Sequence, residues 1–446
     1  MVSAAEQLAA NLNFSAFAKA EELKKRIWFT LGALLIYRLG TYIPLPGINP
    51  EALANLVQQN QSGILGMFDM FAGGAVGRMA IFALNIMPYI SASIIMQLLT
   101  TVSPTLEQLK KEGEAGRKQI NQYTRYGTVF LAALQGYGIA IGLESAGNVV
   151  IDPGMFFRLT TVITLVGGTV FLMWLGEQIT ARGVGNGISL IIFAGIVAEL
   201  PSAIAGTLEL GRQGALSSGL IIAFMVMALL VIAFIVFVER AQRRLLIQYP
   251  KRQIGNRVAQ GESSHLPLKL NTAGVIPPIF ASSLLLLPIT VANFSAGQGP
   301  EWLTTITALL GRGQPLYIAL YVFLIVFFAF FYTAIVFNPK ETADNLKKYG
   351  GFIPGIRPGE RTAEYIDYVL TRITVVGAIY LAFVCILPEL LISQVAVPFY
   401  FGGTSLLIVV SVTMDTVAQV QSHLLAHQYE GLIKKAKLRG TGVRRR

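Results

Sequence analysis

The chain has 446 residues, of which 54% are hydrophobic and 13% charged, with a formal net charge of +11 at pH 7. Soluble domains carry about 25% charged residues, and a mean hydropathy of +0.60 is more than a soluble fold of this length could hide, which argues against an ordinary cytosolic enzyme or a disordered chain. The single cysteine, Cys385, excludes an intrachain disulfide, and the 44 glycines and 19 prolines suit a membrane, where neighbouring helices re-satisfy the backbone groups that such residues free.

Residues 1–26 are expected to form an N-terminal tail in which Leu8, Leu12, Phe14 and Phe17 stand among polar residues, as in an interfacial amphipathic helix. The tail lacks the apolar core and small-residue cleavage site expected of a removable signal peptide. A bilayer core takes about 20 mostly apolar residues per helix. Ten stretches are predicted to span: 27–42, 79–102, 127–143, 156–175, 188–205, 216–238, 273–294, 315–337, 373–387 and 399–420. The shorter ones are expected to run on into their polar flanks. Between the first two, segment 62–78 (SGILGMFDMFAGGAVGR) carries Ile64, Leu65, Met67, Phe68, Met70, Phe71 and one acid, Asp69. It is too short and broken to span, and reads equally as an interfacial helix or as a re-entrant element inside a protein-lined cavity.

Threading these spans alternately places 30 of the 35 Lys and Arg on one side; Arg38, Arg78, Arg158, Arg212 and Arg312 are on the other. The positive-inside rule makes the first side cytoplasmic, with both termini there, and an error in span number would destroy the asymmetry. The first set of five spans then starts inside and the next set of five outside, so the two halves have opposite topology, as an inverted repeat requires. The expected organisation is a tail at 1–26, an N-terminal half at 27–205, a C-terminal half at 206–424 and a basic cytoplasmic tail at 425–446.

Ionisable residues gather at span ends (Arg38, Glu177, Glu199, Asp415), so no proton relay can be drawn through the membrane. His265, His423 and His427 are all on the cytoplasmic side without metal-ligand spacing. No catalytic constellation, metal set or cofactor motif is found. The GVGNG run at 183–187 lacks the Lys-Ser/Thr of a phosphate loop and reads as a tight turn. Anything moved uphill therefore draws its energy from a partner. Gln97, Gln135 and Asn271 could bond between helices, about 1 kcal/mol each. Pro277, Pro278 and Pro288 predict a kinked seventh span, either static or moving against its neighbours.

Two long cytoplasmic connections, 239–272 and 338–372, look folded. Asn338-Pro339 with Glu341 is a helix start, and Gly350-Gly351 its stop. Turn dipeptides at 354–355 and 358–359 hold Arg357 on an exposed tip. The other connection carries Lys251, Arg252 and Arg257 around Gly255-Asn256. Such loops are topology signals or lipid contacts, or else they meet a protein or ribosomal RNA partner; their distance from the membrane edge favours the latter.

The strings MPYISASII (87–95), KEGE (111–114), MWLGEQIT (173–180), GNGIS (185–189), FNP (337–339), PGIRPG (354–359) and FGGTSLLIVV (401–410) together resemble the SecY family, the channel subunit of the bacterial protein-secretion translocon, over nearly the whole chain. The resemblance implies an all-α polytopic membrane protein with ten transmembrane helices in two inverted five-helix halves around a central pore. It further implies a pore ring at Ile86, Ile90, Ile188, Ile192, Ile279 and Ile408, with segment 62–78 as a plug. Gln97, Gln135 and Asn271 would lie at a lateral gate, and Arg357, Lys251, Arg252 and Arg257 on a docking surface for the SecA ATPase and the ribosome. SecE and SecG are implied as small membrane subunits, signal-bearing preproteins as clients, the lipid bilayer as the destination of membrane segments, and the bacterial cytoplasmic (inner) membrane as the location. The Pro277-Pro278 pair doubles a proline that many relatives carry singly. The competing readings are a secondary transporter of a small solute, disfavoured by the lack of mid-membrane ionisable residues, and an intramembrane enzyme, disfavoured by the lack of a constellation.

Overall fold

The apolar stretches become helices, but with ends that differ from those read from hydropathy. The structure, a computed structural model, describes residues 20–60, 69, 72–145, 148–214, 217–249, 252–254, 257–259, 263–294, 309, 314–394 and 403–440. In chain order the elements are α1 (Glu21–Gly40), α2 (Pro50–Asn60), α3 (Met87–Val102), α4 (Pro104–Lys111), α5 (Glu114–Ser145), α6 (Met155–Arg182), α7 (Gly187–Arg212) and α8 (Ser218–Arg240). There follow β1 (Gln242–Gln248), β2 (Arg252–Ile254), β3 (Arg257–Ala259), β4 (Ser263–Lys269), α9 (Ile276–Phe294), α10 (Pro315–Val336), α11 (Pro339–Lys348), α12 (Glu360–Gln394) and α13 (Gly403–Gly440).

Among the described residues seven helices are long and apolar enough to cross a bilayer, and eight if α3 and α4, bent by 98°, count as one. Helix α1 opens on Glu21 and Glu22, and α9 contributes Ile276–Leu285 as a shorter apolar helix. The fold is mostly helical and polytopic, with seven to eight such helices among the described residues against the ten spans expected from the sequence. The tail at 1–19, the plug apolar residues and the tip of the C-terminal tail lie outside the described residues.

Two compact units make up the chain: residues 1–201 with 412–446, and residues 202–411. In the first, α5 packs along α6 and α3, and α1 along α6. The core joins Ala132, Ala140 and Leu143 of α5 to Phe157 and Leu165 of α6, with Leu45, Leu53, Met79, Ala83 and Leu84. Ion pairs clasp the α5–α6 pair at both ends. Glu144 accepts from Arg158 Nη2 at 2.6 Å and from the Gly154 N–H at 3.0 Å; Glu177 takes both Arg125 Nη2 (2.7 Å) and Nε (3.2 Å).

The second span begins later than hydropathy predicts. Residues 79–86 are turns, with Met79 and Asn85 at positive φ (43° and 48°), and α3 starts at Met87 with Pro88 in its first turn, where a missing N–H costs nothing. The buried turns are satisfied without a helix: Leu45 N–H donates to Met79 O at 2.9 Å and Ile81 N–H to Ile43 O at 3.0 Å. Phe82 stacks between Tyr37 and Phe171, with ring centroids 6.2 and 5.9 Å apart. Any Cβ at Gly40 would strike the Phe82 ring.

In the second unit α10 packs between α9 and α12, Phe280 sits edge-on to Phe328 (5.6 Å), and the Tyr321 and Thr404 hydroxyls are 2.8 Å apart. The two long connections form one body, which the sequence did not disclose. β1 pairs antiparallel with β4 (Leu245↔Leu266, Gln248↔Ser263). Phe352 of the other connection pairs with Gln248, Gln248 N–H to Phe352 O at 2.9 Å and the return bond at 3.0 Å. Leu245, Leu268, Ile353, Ile366 and Ile373 form its core. The helix start read at Asn338 is present: its Oδ1 accepts from Lys340 N–H (3.1 Å) and Glu341 N–H (3.4 Å). Gly350 (φ 75°) follows the last turn of α11.

The doubled proline acts differently from a kink. Pro277 and Pro278 occupy the first turn of α9, where their absent N–H groups have no intrahelical acceptor to lose. Only Pro288 is interior to the helix.

Candidate functional site

The ring residues divide between the units. In the first, Ile86 is fully buried, Ile90 and Ile192 are buried and Ile188 is half-buried. Ile86 and Ile90 bracket the first turn of α3, and Ile188 and Ile192 are one turn apart on α7, so each pair shares a helix face. The α7 pair is set by the GVGNG turn, which is a tight turn as its residues suggest: Gly185 has φ 90°. Asn186 Oδ1 accepts from Ile188 N–H at 3.1 Å, Thr180 Oγ1 accepts from Gly187 N–H at 2.9 Å, and a Cβ at Gly187 would overlap the Gly176 carbonyl. The turn is held from outside by Thr30 Oγ1 on Val184 N–H (3.0 Å) and by Gln419 Oε1 on Gly185 N–H (2.9 Å). In the second unit Ile279 is half-buried in the first turn of α9, and Ile408 of α13 is 1% exposed.

Of the plug residues, Ile64, Leu65, Met67, Phe68, Met70 and Phe71 lie outside the described residues. The described end of the segment, from Ala72 on, is clamped by groups that sequence reading treated only as charges at span ends. Gly73 O accepts from Arg38 Nη1 and from Arg78 Nη2 (2.8 Å), and Arg78 Nε reaches Thr41 O at 3.3 Å. Tyr37 OH donates to Ala72 O at 3.3 Å. Arg78 stacks over Tyr42 at 4.3 Å. Asp69 Oδ1 accepts the Gly77 N–H at 2.6 Å, and Asp69 O accepts the Gly74 N–H at 2.8 Å. Burial pushes the Asp69 carboxyl above the usual range, the Gly77 bond opposing it and the Glu199 charge adding to it. Gly73 and Gly74 hold φ 64° and 78°, and a Cβ on Gly74 would stand 2.6 Å from both Arg78 Nη2 and Glu199 Oε1. The available signal was that Arg38 and Arg78 are two of only five basic residues on the sparsely charged side.

The gate residues also divide. Gln97 on α3 is half-buried, with Nε2 3.4 Å from Ser93 Oγ and Oε1 without a hydrogen bond; Gln135 on α5 is buried. Their helices pack together in the first unit. Asn271 belongs to the second, where it bonds Glu239 Oε1 at 2.7 Å. Of the residues expected to dock a partner, Arg357 is exposed on a tip shaped by Gly355 (φ 83°) and Gly359 (φ 112°), and its carbonyl accepts from Thr362 Oγ1 at 2.9 Å. Arg252 and Arg257 lie on the paired β2 and β3; Lys251 lies outside the described residues. Among the described residues no three His, Cys, Asp or Glu side chains are grouped to hold a metal ion.

Two solved structures share this fold. "The structure of a protein conducting channel" aligns with a TM-score of 0.61 at 18% identity over 90% of this chain and 92% of that one. Sec61 in the canine ribosome–channel complex of the endoplasmic reticulum aligns with a TM-score of 0.59 at 18% identity and the same coverages. The fold is therefore the one that these two structures share. The SecY family model matches residues 80–417. The protein translocase subunit SecY of Escherichia coli K12 is 59% identical over 425 residues, 94% of this chain and 96% of that protein. Those of Rickettsia bellii and Vibrio cholerae are each 58% identical, over 96% of this chain and 100% and 98% of theirs. The chain belongs to the SecY family.

Proposed function

We propose that this chain is the polypeptide-conducting subunit of a translocase in the bacterial cytoplasmic membrane, passing unfolded preproteins across and releasing membrane segments sideways into lipid. The carrying observation is identity of 58–59% to translocase subunits along nearly their whole length. The constricting ring is assigned to Ile86, Ile90, Ile188, Ile192, Ile279 and Ile408: branched aliphatic side chains close round a chain of any sequence without binding it, and a dry constriction stops ions by dewetting. Segment 62–78 is assigned as the plug, and Gln97, Gln135 and Asn271 to the lateral gate. Lys251, Arg252, Arg257 and Arg357 are assigned to docking of the SecA motor and the ribosome, the latter in keeping with the ribosome complexes of distant structural relatives. SecE and SecG complete the assembly, both termini are cytoplasmic, and the driving energy comes from the docked partner.

Protease protection tests this. The chain is reconstituted with its small partners, and a signal-bearing preprotein, the motor and ATP are added. Protection that requires motor and ATP, and that fails with Arg357→Glu, is expected. No protection, with ion-driven uptake of a small solute instead, would replace the channel reading by the transporter one.

A further inference from the structure

The cytoplasmic body is joined to α9 through a buried polar knot. Leu270 N–H donates to Ala241 O at 3.0 Å, closing the hairpin at the end of α8. The next residue, Asn271, is 5% exposed. Its Nδ2 donates to Glu239 Oε1 at 2.7 Å and to Gly274 O at 3.0 Å, and its Oδ1 accepts the Gly274 N–H at 3.1 Å. One carboxamide thus fixes the turn that enters α9 and ties it to the last turn of α8. Gly274 takes φ 63° within that turn. Helix α12 crosses the same point: a Cβ at Gly377 would stand 2.7 Å from Leu270 O. One turn on, the Tyr380 hydroxyl makes no hydrogen bond and lies within reach of the Glu239 charge.

The hairpin does not need this knot to close, because the β1–β4 ladder and the Leu270–Ala241 bond already do so. A carboxylate at the end of an otherwise apolar helix, bonded to a buried carboxamide, is a costly way to finish a loop. What it specifies is direction. The path from the tip is continuous within one unit. Ile356, beside Arg357, packs against the core of Leu245, Leu268, Ile353 and Ile366; Phe352 is bonded to β1; β4 ends at Lys269, two residues before Asn271. Helix α9 starts five residues after Asn271 and carries Ile279 in its first turn.

We propose that Asn271, held by Glu239, is the positioning residue through which docking of an ATP-driven motor protein on the basic cytoplasmic body reorients α9. This rests on the channel reading above. In reconstituted full-chain complexes, Asn271→Ala and Glu239→Ala are expected to bind the motor within about twofold of the unaltered protein. Preprotein protection per bound motor should fall about tenfold, the effect of losing one hydrogen bond to a charged group. Glu239→Gln, whose amide oxygen still accepts from Asn271, should restore it. A fluorophore on Leu284→Cys of α9 should respond to motor binding in the parent and Glu239→Gln forms but not with Asn271→Ala. Binding and protection falling in parallel would mean that the knot only stabilises the body, and would overturn the proposal. So would unchanged protection, or a fluorophore response that survives Asn271→Ala. If the parent complex shows no motor-dependent protection, it is the channel reading that fails.

Discussion

Arg78→Ala is the sharpest perturbation of the clamp at the end of segment 62–78. It removes a 2.8 Å bond to Gly73 O and a 3.3 Å bond to Thr41 O, together with the stacking on Tyr42. Hydrogen bonds from charged donors contribute about 1.5–3 kcal/mol each. The second bond is long, the side chain is half-buried, and Gly73 O keeps its Arg38 donor, so the loss comes to ~2 kcal/mol rather than the sum. That is about a thirtyfold shift between seated and unseated segment. The assay is halide influx into vesicles holding the reconstituted complex, with no preprotein and no motor. Leak is expected to rise by up to about thirtyfold in Arg78→Ala, and to be only partly restored by Arg78→Lys, whose point charge cannot span both carbonyls. Adding Arg38→Ala should give a non-additive increase, because both arginines hold the same carbonyl. Parent-like leak from Arg78→Ala complexes that assemble at normal yield would refute the assignment of a clamp.

Other expectations follow from the same geometry. Because the Asp69 carboxyl is raised when seated, the seated state gains stability from protonation. That gain is full below the ordinary carboxylate pKa and is lost as pH rises through the raised value. Leak should therefore grow as the pH on the Asp69 side is raised above the ordinary carboxylate pKa of about 4, and Asp69→Asn should abolish that dependence. Gly187→Ala forces a methyl into the Gly176 carbonyl and should cost about 1–3 kcal/mol, read as lower melting temperature and yield. Asn338→Ala removes the cap on α11, costing about 1 kcal/mol, and should raise amide exchange in 339–348 without changing leak.

Hydropathy was sufficient to reveal the long apolar helices, because burial in lipid demands long apolar runs whatever their neighbours. It misplaced the start of α3, since the apolar residues 79–86 are buried as turns and composition does not tell a buried turn from a helix. The helix start at Asn338 and the GVGNG turn were legible because capping and positive φ are local. The Arg38–Arg78–Gly73 clamp was not, as Arg38 is 35 residues from Gly73 and meets it only through the fold. Nor was the Phe352–Gln248 pairing, a single long-range bridge with no pattern of its own. The prolines of α9 misled for a simple reason: proline kinks an interior turn and suits a first turn, and the boundary between the two is a tertiary fact.

The Gln248–Phe352 bridge makes the two long connections one unit of inheritance. Leu245 and Leu268 come from one, and Ile353 and Ile366 from the other, yet they fill a single core. A chimera that borrows only one connection from a relative would join two half-cores that were never fitted to each other, whereas exchanging both together would carry over a matched pair.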